Sequence, residues 1–587
     1  MKSLFPMAAI AICAGIVFFL FSDPFLAPPD CASYWAWAQS LAGGLNFSFG
    51  DAYESLQMPA FYVYLTPAGR LSNDWPMGAG LALLPTAAFG RIISHAWMML
   101  WVTAAMLIWA RRNGRFGVPA RSFAVICTLL GTPLLFYTLF GPFFSHAVSF
   151  AVSSLFLIAW DRTRAGRTRA EWFLLGLLLG FAGLIRPQNI LLGLVFFAQL
   201  SSLMTSLKTN GARRIQISWR PRWMIFAAGV LLGFAPQLIA YWGIYGSPVA
   251  FPKVSEMHWL HPALRLMLFS DFHGVLPWTP IYVLGCAGLV MLWKHDSVLA
   301  CGLLLALAGQ IYLNAANMVW WSGGSFGNRR LADSAIVTAY GLAALWGARP
   351  NRFWKASMGA LGAVCCFWTL WLMLAERRLL APLDHYVPFS GREFRAGMPL
   401  VWTQFGATIN ALLRPLRDCE SLGMRIGASL AVVAGCAVLF VLVPGITRRI
   451  SARLAVPGVI VASFLILITL AAALRTPALD HPDLPQKLGR SSGILWDNYI
   501  ELAFYEIDTG GYERAEQSAR NAVGMRPDHY SGWWYLGLAQ YYQAKWLDAA
   551  ASFGKVRELN PSHARAAEFC DLALSRAGLS GNTGRLR

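Results

Sequence analysis

The sequence predicts an all-α protein: a polytopic bundle of about thirteen transmembrane helices, followed by a small helical repeat domain. Three observations predict it. Of 587 residues, 57% are hydrophobic and 13% charged, with a mean hydropathy of +0.49. Ordinary soluble domains run at about 45–50% apolar and about 25% charged. Apolar runs of membrane-spanning length recur along most of the chain, and after residue 474 a polar, helical sequence with a thirty-four-residue period takes over. This composition excludes an ordinary soluble protein, a disordered tail and a coiled coil.

A span needs roughly 20 mainly apolar residues. Runs of about that kind lie at 5–21, 90–110, 122–140, 143–160, 172–185, 189–207, 223–245, 275–293, 298–316, 331–348, 356–375, 425–444 and 454–474. The first, with Lys2 ahead of Ala8 to Leu20, has the outline of a signal peptide. Pro24, Pro28, Pro29 and Asp30 follow it without a small-x-small cleavage site, so it reads as an uncleaved first helix.

Lys and Arg in short loops set orientation. With Lys2 inside, alternate loops carry Arg111, Arg112, Arg115 and Arg121; Arg162, Arg164, Arg167 and Arg169; the basic cluster at 208–222; Lys294; Arg349, Arg352 and Lys355; and Arg448, Arg449 and Arg453. These loops hold 21 basic residues against Asp161, Glu171 and Asp296, a balance of +18 out of a chain total of +19. The basic excess is a topology signal and gives no support to nucleic-acid binding. The N terminus is expected in the cytoplasm. The loops 22–89, 141–142, 186–188, 246–274, 317–330 and 376–424, and everything after 474, are expected outside. The ten cysteines lack metal-ligand spacing; Cys31, Cys419 and Cys570 are expected to face outward, with a disulfide among them left open.

Pro477, Pro482 and Pro485 mark a linker over 476–492, between a membrane domain over 1–475 and a repeat domain over 493–579. Trp533, Leu536, Gly537, Ala549, Phe553 and Pro561 fit the tetratricopeptide pattern, and Tyr499, Leu502, Ala503, Ala515, Ala519 and Pro527 stand thirty-four residues earlier. Small residues let the two helices of each unit pack, and the proline ends the second. Two units are marginal alone, so docking on the membrane domain is expected. Such arrays bind polypeptides; a structural lid over the outer surface is the other reading.

The outer loops collect the residues able to do chemistry. Asp30 opens the first of them, followed by Tyr34, Trp35 and Trp37 at interfacial spacing. Its carboxylate suits a general base or a metal ligand, and equally a helix N-cap. Glu54 and Asp74 lie further along that loop. Arg186 stands at the outer end of a span, against the positive-inside trend; charge at that depth marks either function or snorkelling to the interface. The stretch from Trp320 to Arg330 holds three glycines beside Arg329 and Arg330, a composition suited to a phosphate or to a tight turn. His146 and His273 face the same side as candidate phosphate or hydroxyl ligands, and His258 with His261 is a weak metal signal.

Residues 1–375 resemble the multispanning GT-C glycosyltransferases, particularly bacterial members related to protein O-mannosyltransferases and the lipid A aminoarabinose transferase. The resemblance rests on Asp30 ahead of Tyr34 and Ala38, Asn73-Asp74-Trp75-Pro76-Met77-Gly78, Ser145-His146, Arg186-Pro187, His273-Gly274 with Trp278-Thr279-Pro280, and the Trp320 to Arg330 stretch. It implies an inverting transferase in the bacterial inner membrane, moving a sugar from a polyprenyl-phosphate donor to an acceptor hydroxyl on the periplasmic face. Asp30 would be the base, and Arg186, Arg329 and Arg330 would hold the phosphate. His146, His273, Tyr34, Glu54 and Asp74 complete the expected substrate site. Many members carry Asp-Glu where this chain has Asp30-Cys31, which leaves a second carboxylate and a divalent metal open. The acceptor is a protein, a glycan or a lipid.

Two other classes compete: a non-catalytic anchor whose repeats recruit partners, and a transporter of lipid-linked sugars. An anchor has no need of outward Arg186 or the glycine-rich stretch. A transporter calls for mid-span charge and inverted repeats; the sequence shows few mid-span charges and no inverted repeat.

Overall fold

The computed structural model describes residues 30–56, 58, 62–164, 166–201, 219–250, 257–270, 272–323, 326–380, 426–435, 452–475, 492–563 and 565–579, with isolated positions between 403 and 438. The expected first span, most of the 376–424 loop, the 476–491 linker and Cys419 lie outside the described residues. The described residues form helices and no strand ladder; the β-pairing consists of two isolated bridges, Leu65 with Leu71 and Met257 with Asn317.

The segment from residue 30 folds into α1 (Asp30–Gly44), α2 (Gly50–Ser55) and α3 (Gly78–Ala87). The bundle follows as α4 (Arg91–Arg112), α5 (Val118–Gly131), α6 (Leu134–Leu139), α7 (His146–Thr163), α8 (Arg169–Ile185), α9 (Trp219–Tyr245), α10 (Leu264–Phe269), α11 (Val275–Trp278), α12 (Ile281–Trp293), α13 (Ser297–Ala316), α14 (Ala335–Gly347), α15 (Arg352–Leu380) and α16 (Ala452–Arg475). Arg91–Arg112, Arg222–Tyr245, Ser297–Ala316 and Arg352–Leu374 are each long and apolar enough to cross a membrane.

Several expected spans are interrupted. The chain interrupts helix at Thr132-Pro133, at Thr279-Pro280 and at Arg186, and runs in 3₁₀ conformation over Pro187–Leu194 and Arg329–Ser334. Proline lacks the N–H that continues a helix and disfavours helical backbone in the residue before it. Irregular backbone at such depth is tolerated where protein buries it or where it lines a cavity, and these breaks surround the site described below.

Helices α8 and α9 form a close seam. A Cβ on Gly176 would stand 2.0 Å from the Phe226 carbonyl oxygen, and one on Gly180 would stand 2.3 Å from that of Val230. In lipid, helix association depends on such close packing more than on expulsion of water. Gly180→Leu is therefore expected to abolish recovery of monodisperse protein in detergent, judged by size-exclusion chromatography. A wild-type elution profile would show that the seam is dispensable.

Charges sort to the two ends of the bundle. Arg115 meets Asp161 at 2.7 Å and Asp296 at 3.1 Å, and Arg164 meets Asp161 at 3.3 Å and donates to Asp296 at 2.7 Å. All four come from loops expected on the basic side. The other end of α7 carries His146, eighteen residues of helix away, or about 27 Å at about 1.5 Å per residue.

The C-terminal region is a run of helices: α17 (Ser492–Asp508), α18 (Tyr512–Met525), α19 (Tyr530–Tyr542), α20 (Trp546–Leu559) and α21 (Ala566–Arg576). Helices α18 and α20 start thirty-four residues apart and have equal length. Ala515, Ala519, Ala549 and Phe553 are buried between helices, as the period predicts. Cys31 and Cys570, both buried, are not joined to each other.

Candidate active site

Asp30 is the first residue of α1, where the partial positive charge of a helix N terminus favours a carboxylate. The loop before α3 is sewn onto α1. Asn73 donates to the Ser33 carbonyl at 3.1 Å, and the Trp37 indole donates to the Trp75 carbonyl at 2.9 Å. This aims the Trp75 indole N–H at Asp30 Oδ1, 2.5 Å away. The other carboxylate oxygen meets Arg329 Nη2 at 2.9 Å. Arg329 also lies over the Phe144 ring, 4.9 Å from its centroid. Two planar donors thus fix the orientation of the Asp30 carboxylate.

Gly78 explains the end of the same motif. A Cβ there would stand 2.6 Å from both the Leu184 carbonyl oxygen and the Ile185 nitrogen. The start of α3 presses directly on the end of α8, the turn that carries Arg186. Held extended ahead of Pro187, Arg186 places Nε 2.8 Å from Asp333 Oδ2. Its Nη1 donates to Ser145 Oγ at 3.2 Å. His146 Nδ1 meets the other oxygen of Asp333 at 2.9 Å. Asp333 sits in the 3₁₀ turn Arg329–Ser334 and is 1% exposed. Tyr34 shares a hydrogen bond with Ser145, and burial, reinforced by the Asp30 charge, pushes its hydroxyl up to about 12. It therefore acts as a neutral hydrogen-bonding group.

The Trp320 to Arg330 stretch wraps this cluster. Ser322 and Gly323 both take positive φ, +78° and +74°, a conformation that glycine adopts at little cost. Asn328 ties the loop back on itself, donating to the Trp320 carbonyl at 3.1 Å. The Tyr137 hydroxyl donates to the Phe326 carbonyl at 3.1 Å. His273, with φ +59°, sets Nδ1 3.2 Å from the Trp321 carbonyl. Burial pushes its imidazole down to about 4, so near neutral pH it carries no charge and Nδ1–H donates to that carbonyl. In this arrangement His273 braces the loop. Arg330 donates to the Val319 carbonyl at 3.3 Å. Burial, then Arg329 and Arg186, push it down to about 9, and as a guanidinium it stays charged.

The structure thus brings together Asp30, Tyr34, His146, Arg186, Arg329 and Arg330, with His273 beside them. Asp74 lies apart. It is 2% exposed and accepts from the hydroxyls of Tyr64 at 2.9 Å and Tyr245 at 2.7 Å. Glu54 is exposed on α2, as are His258 and His261 in their loop. Asp333 escapes a reading for spans because it falls inside the apolar run 331–348; a carboxylate in such a run was itself the signal.

An apolar groove of about 870 Å³ is lined by Pro187 and Gln188, which follow Arg186 in the chain, together with Leu191, Leu194, Trp259 and Tyr312. The Asp30 carboxylate is engaged by two hydrogen-bond donors. Its two oxygens face an indole and a guanidinium, and among the described residues no three His, Cys, Asp or Glu side chains gather.

Comparison with known proteins adds one likeness. No family model matches the chain, and no curated protein does. A crystal structure of ArnT from Cupriavidus metallidurans in the apo state superimposes with a TM-score of 0.40 and 16% identity, covering 80% of this chain and 76% of that one.

Proposed function

We propose that the chain is a membrane glycosyltransferase that moves a sugar from a polyprenyl-phosphate donor to an acceptor hydroxyl. The observation that carries this reading is the meeting of Asp30 with Arg186, Arg329 and Arg330, from widely separated segments, together with an apolar groove lined by the residues that follow Arg186 in the chain. A prenyl chain fits the groove, and its phosphate would then lie against Arg186. Arginine forks match phosphate oxygens better than lysine does. The family resemblance of the sequence points to the same chemistry.

In this reaction the acceptor oxygen attacks the anomeric carbon from the face opposite the phosphate. The new carbon–oxygen bond forms as the bond to the phosphate oxygen breaks. The bonding electron pair leaves on the phosphate, where the arginines offset its charge, and the hydroxyl proton passes to Asp30. The configuration at that carbon inverts. The site faces the periplasm in this reading, with the basic loops in the cytoplasm and the chain in the bacterial inner membrane. Helices α17 to α20 form two tetratricopeptide units on the outer side, a surface suited to a polypeptide partner.

The test is to incubate purified protein with radiolabelled polyprenyl-phosphate sugars and native membrane extract, and to follow label leaving the lipid. Turnover of one donor names the sugar. No turnover across a full panel by folded protein would remove the transferase reading. Arg329→Ala is expected to raise the donor concentration giving half-maximal rate by about tenfold or more, the loss of a charge-assisted phosphate contact. An unchanged donor dependence would take Arg329 out of the phosphate site.

A further inference from the structure

Three guanidinium groups converge on the site, and the membrane domain sets two carboxylates, Asp30 and Asp333, among them. A third comes from the repeat domain. Glu501, on α17, is 4% exposed, and its carboxylate oxygens lie 3.2 and 3.3 Å from the point where a Cβ on Gly323 would stand. Its charge acts on Arg330. One turn further along α17, Tyr505 stacks on Trp321 with centroids 4.8 Å apart, and meets Phe272 at 5.2 Å and Trp320 at 5.7 Å. Leu495, Tyr499 and Leu502 pack against the core of the membrane domain. One face of α17 is therefore laid on the loops that carry the cations.

The repeat itself does not call for these two side chains. The positions thirty-four residues on are Tyr535 and Ala539, both packed within the helical array. Glu501 and Tyr505 are turned to the membrane domain instead. A buried charge without a counter-charge is costly, and Glu501 brings a carboxylate against the Trp321 to Gly323 turn of the loop that carries Arg330. A phosphate reaching the same cations adds negative charge beside Glu501, and two anions in one buried site oppose each other.

We propose that α17 is an anion-bearing plug on the cation cluster: Glu501 stands in for a ligand phosphate, Tyr505 fastens the plug to Trp321, and binding of a phospholipid headgroup of the polyprenyl type releases the helix. This rests on the arginines being the phosphate site. Coupling of this kind is reciprocal, so whatever loosens the plug tightens the ligand by the same factor.

The experiment uses the full chain in detergent micelles with undecaprenyl phosphate as probe, reading affinity and hydrogen exchange over residues 492–508. In the wild type, exchange over α17 is expected to rise on saturation. Glu501→Gln is expected to bind the probe about tenfold tighter and to show raised exchange before the probe is added. Should that variant misfold, Tyr505→Leu loosens the stack without changing charge and is expected to move affinity the same way. Equal affinity in wild type and both variants, with exchange over α17 unmoved by the probe, would make the helix a fixed wall and overturn the plug while leaving the donor reading intact. Absence of probe binding to every protein would instead remove the phosphate site, and the plug with it. Release by inorganic phosphate alone would overturn the requirement for the lipid.

Discussion

Asp30→Asn is expected to lower sugar transfer by about 10²- to 10⁴-fold, the range over which a positioned general base contributes, while the protein inserts and folds as before. The geometry separates the two effects. An amide oxygen still accepts the Trp75 indole N–H, so the stitch between α1 and the loop at 72–76 survives. The contact with Arg329 loses its charge, but both side chains of that pair are partly exposed, at 16% each, and Arg329 keeps its place over Phe144. At that depth the pair is worth more than a surface salt bridge, so a modest loss of thermal stability accompanies the variant, small beside the loss of turnover. Donor binding should hold or tighten, because one negative charge leaves the neighbourhood of the phosphate cations. The measurement is single-turnover loss of label from the donor lipid, alongside elution profile and thermal unfolding of the same preparation. Wild-type turnover would remove Asp30 as the base. Equal losses of turnover and thermal stability would make it a structural residue.

How far the sequence discloses this site depends on how local each signal is. Apolar runs are local, and every expected span that falls on described residues is helical over at least part of its length. Their breaks follow from Pro133, Pro187 and Pro280, which span-length averaging smooths away. Arg186, Arg329 and Arg330 are legible as charges standing where sidedness does not want them, and Asp30 as an acid early in the first outer loop, ahead of a run of aromatics. Asp74 shows the limit of that logic. It shares a loop and a charge with Asp30, and only the fold shows it facing Tyr64 and Tyr245. The roles of Asn73, Trp75 and Gly78 are likewise non-local, since each acts on a partner in another helix. Glu501 is the most remote case. Nothing near it in the chain is basic enough to flag it, and its setting exists only once α17 docks on the Trp320 to Gly323 turn.

Removing Asp333 should be the most destabilising change in the site. Its two oxygens bind Arg186 at 2.8 Å and His146 at 2.9 Å, with the carboxylate 1% and the histidine 0% exposed. Breaking a buried ion pair by deleting one partner costs about 3–5 kcal/mol, because the other charge is left without compensation, and a typical domain has only about 5–15 kcal/mol to lose. Asp333→Ala is thus expected to lower the thermal unfolding midpoint in detergent steeply. Replacing both partners of such a pair by apolar residues of similar size is often neutral. The double variant Asp333→Leu with Arg186→Met should therefore regain much of the midpoint that the single variant loses. Function separates two meanings of the pair. If Asp333 and Arg186 serve only to hold α8 and the 3₁₀ turn together, the double variant regains transfer along with stability. If Arg186 is a phosphate ligand that Asp333 orients, stability returns and transfer does not, since that cation is gone. The second outcome is expected, because Arg186 also reaches Ser145 and stands directly before the groove-lining Pro187 and Gln188. A double variant with wild-type donor dependence would leave Arg329 and Arg330 as the phosphate cations and reduce Arg186 to a strut.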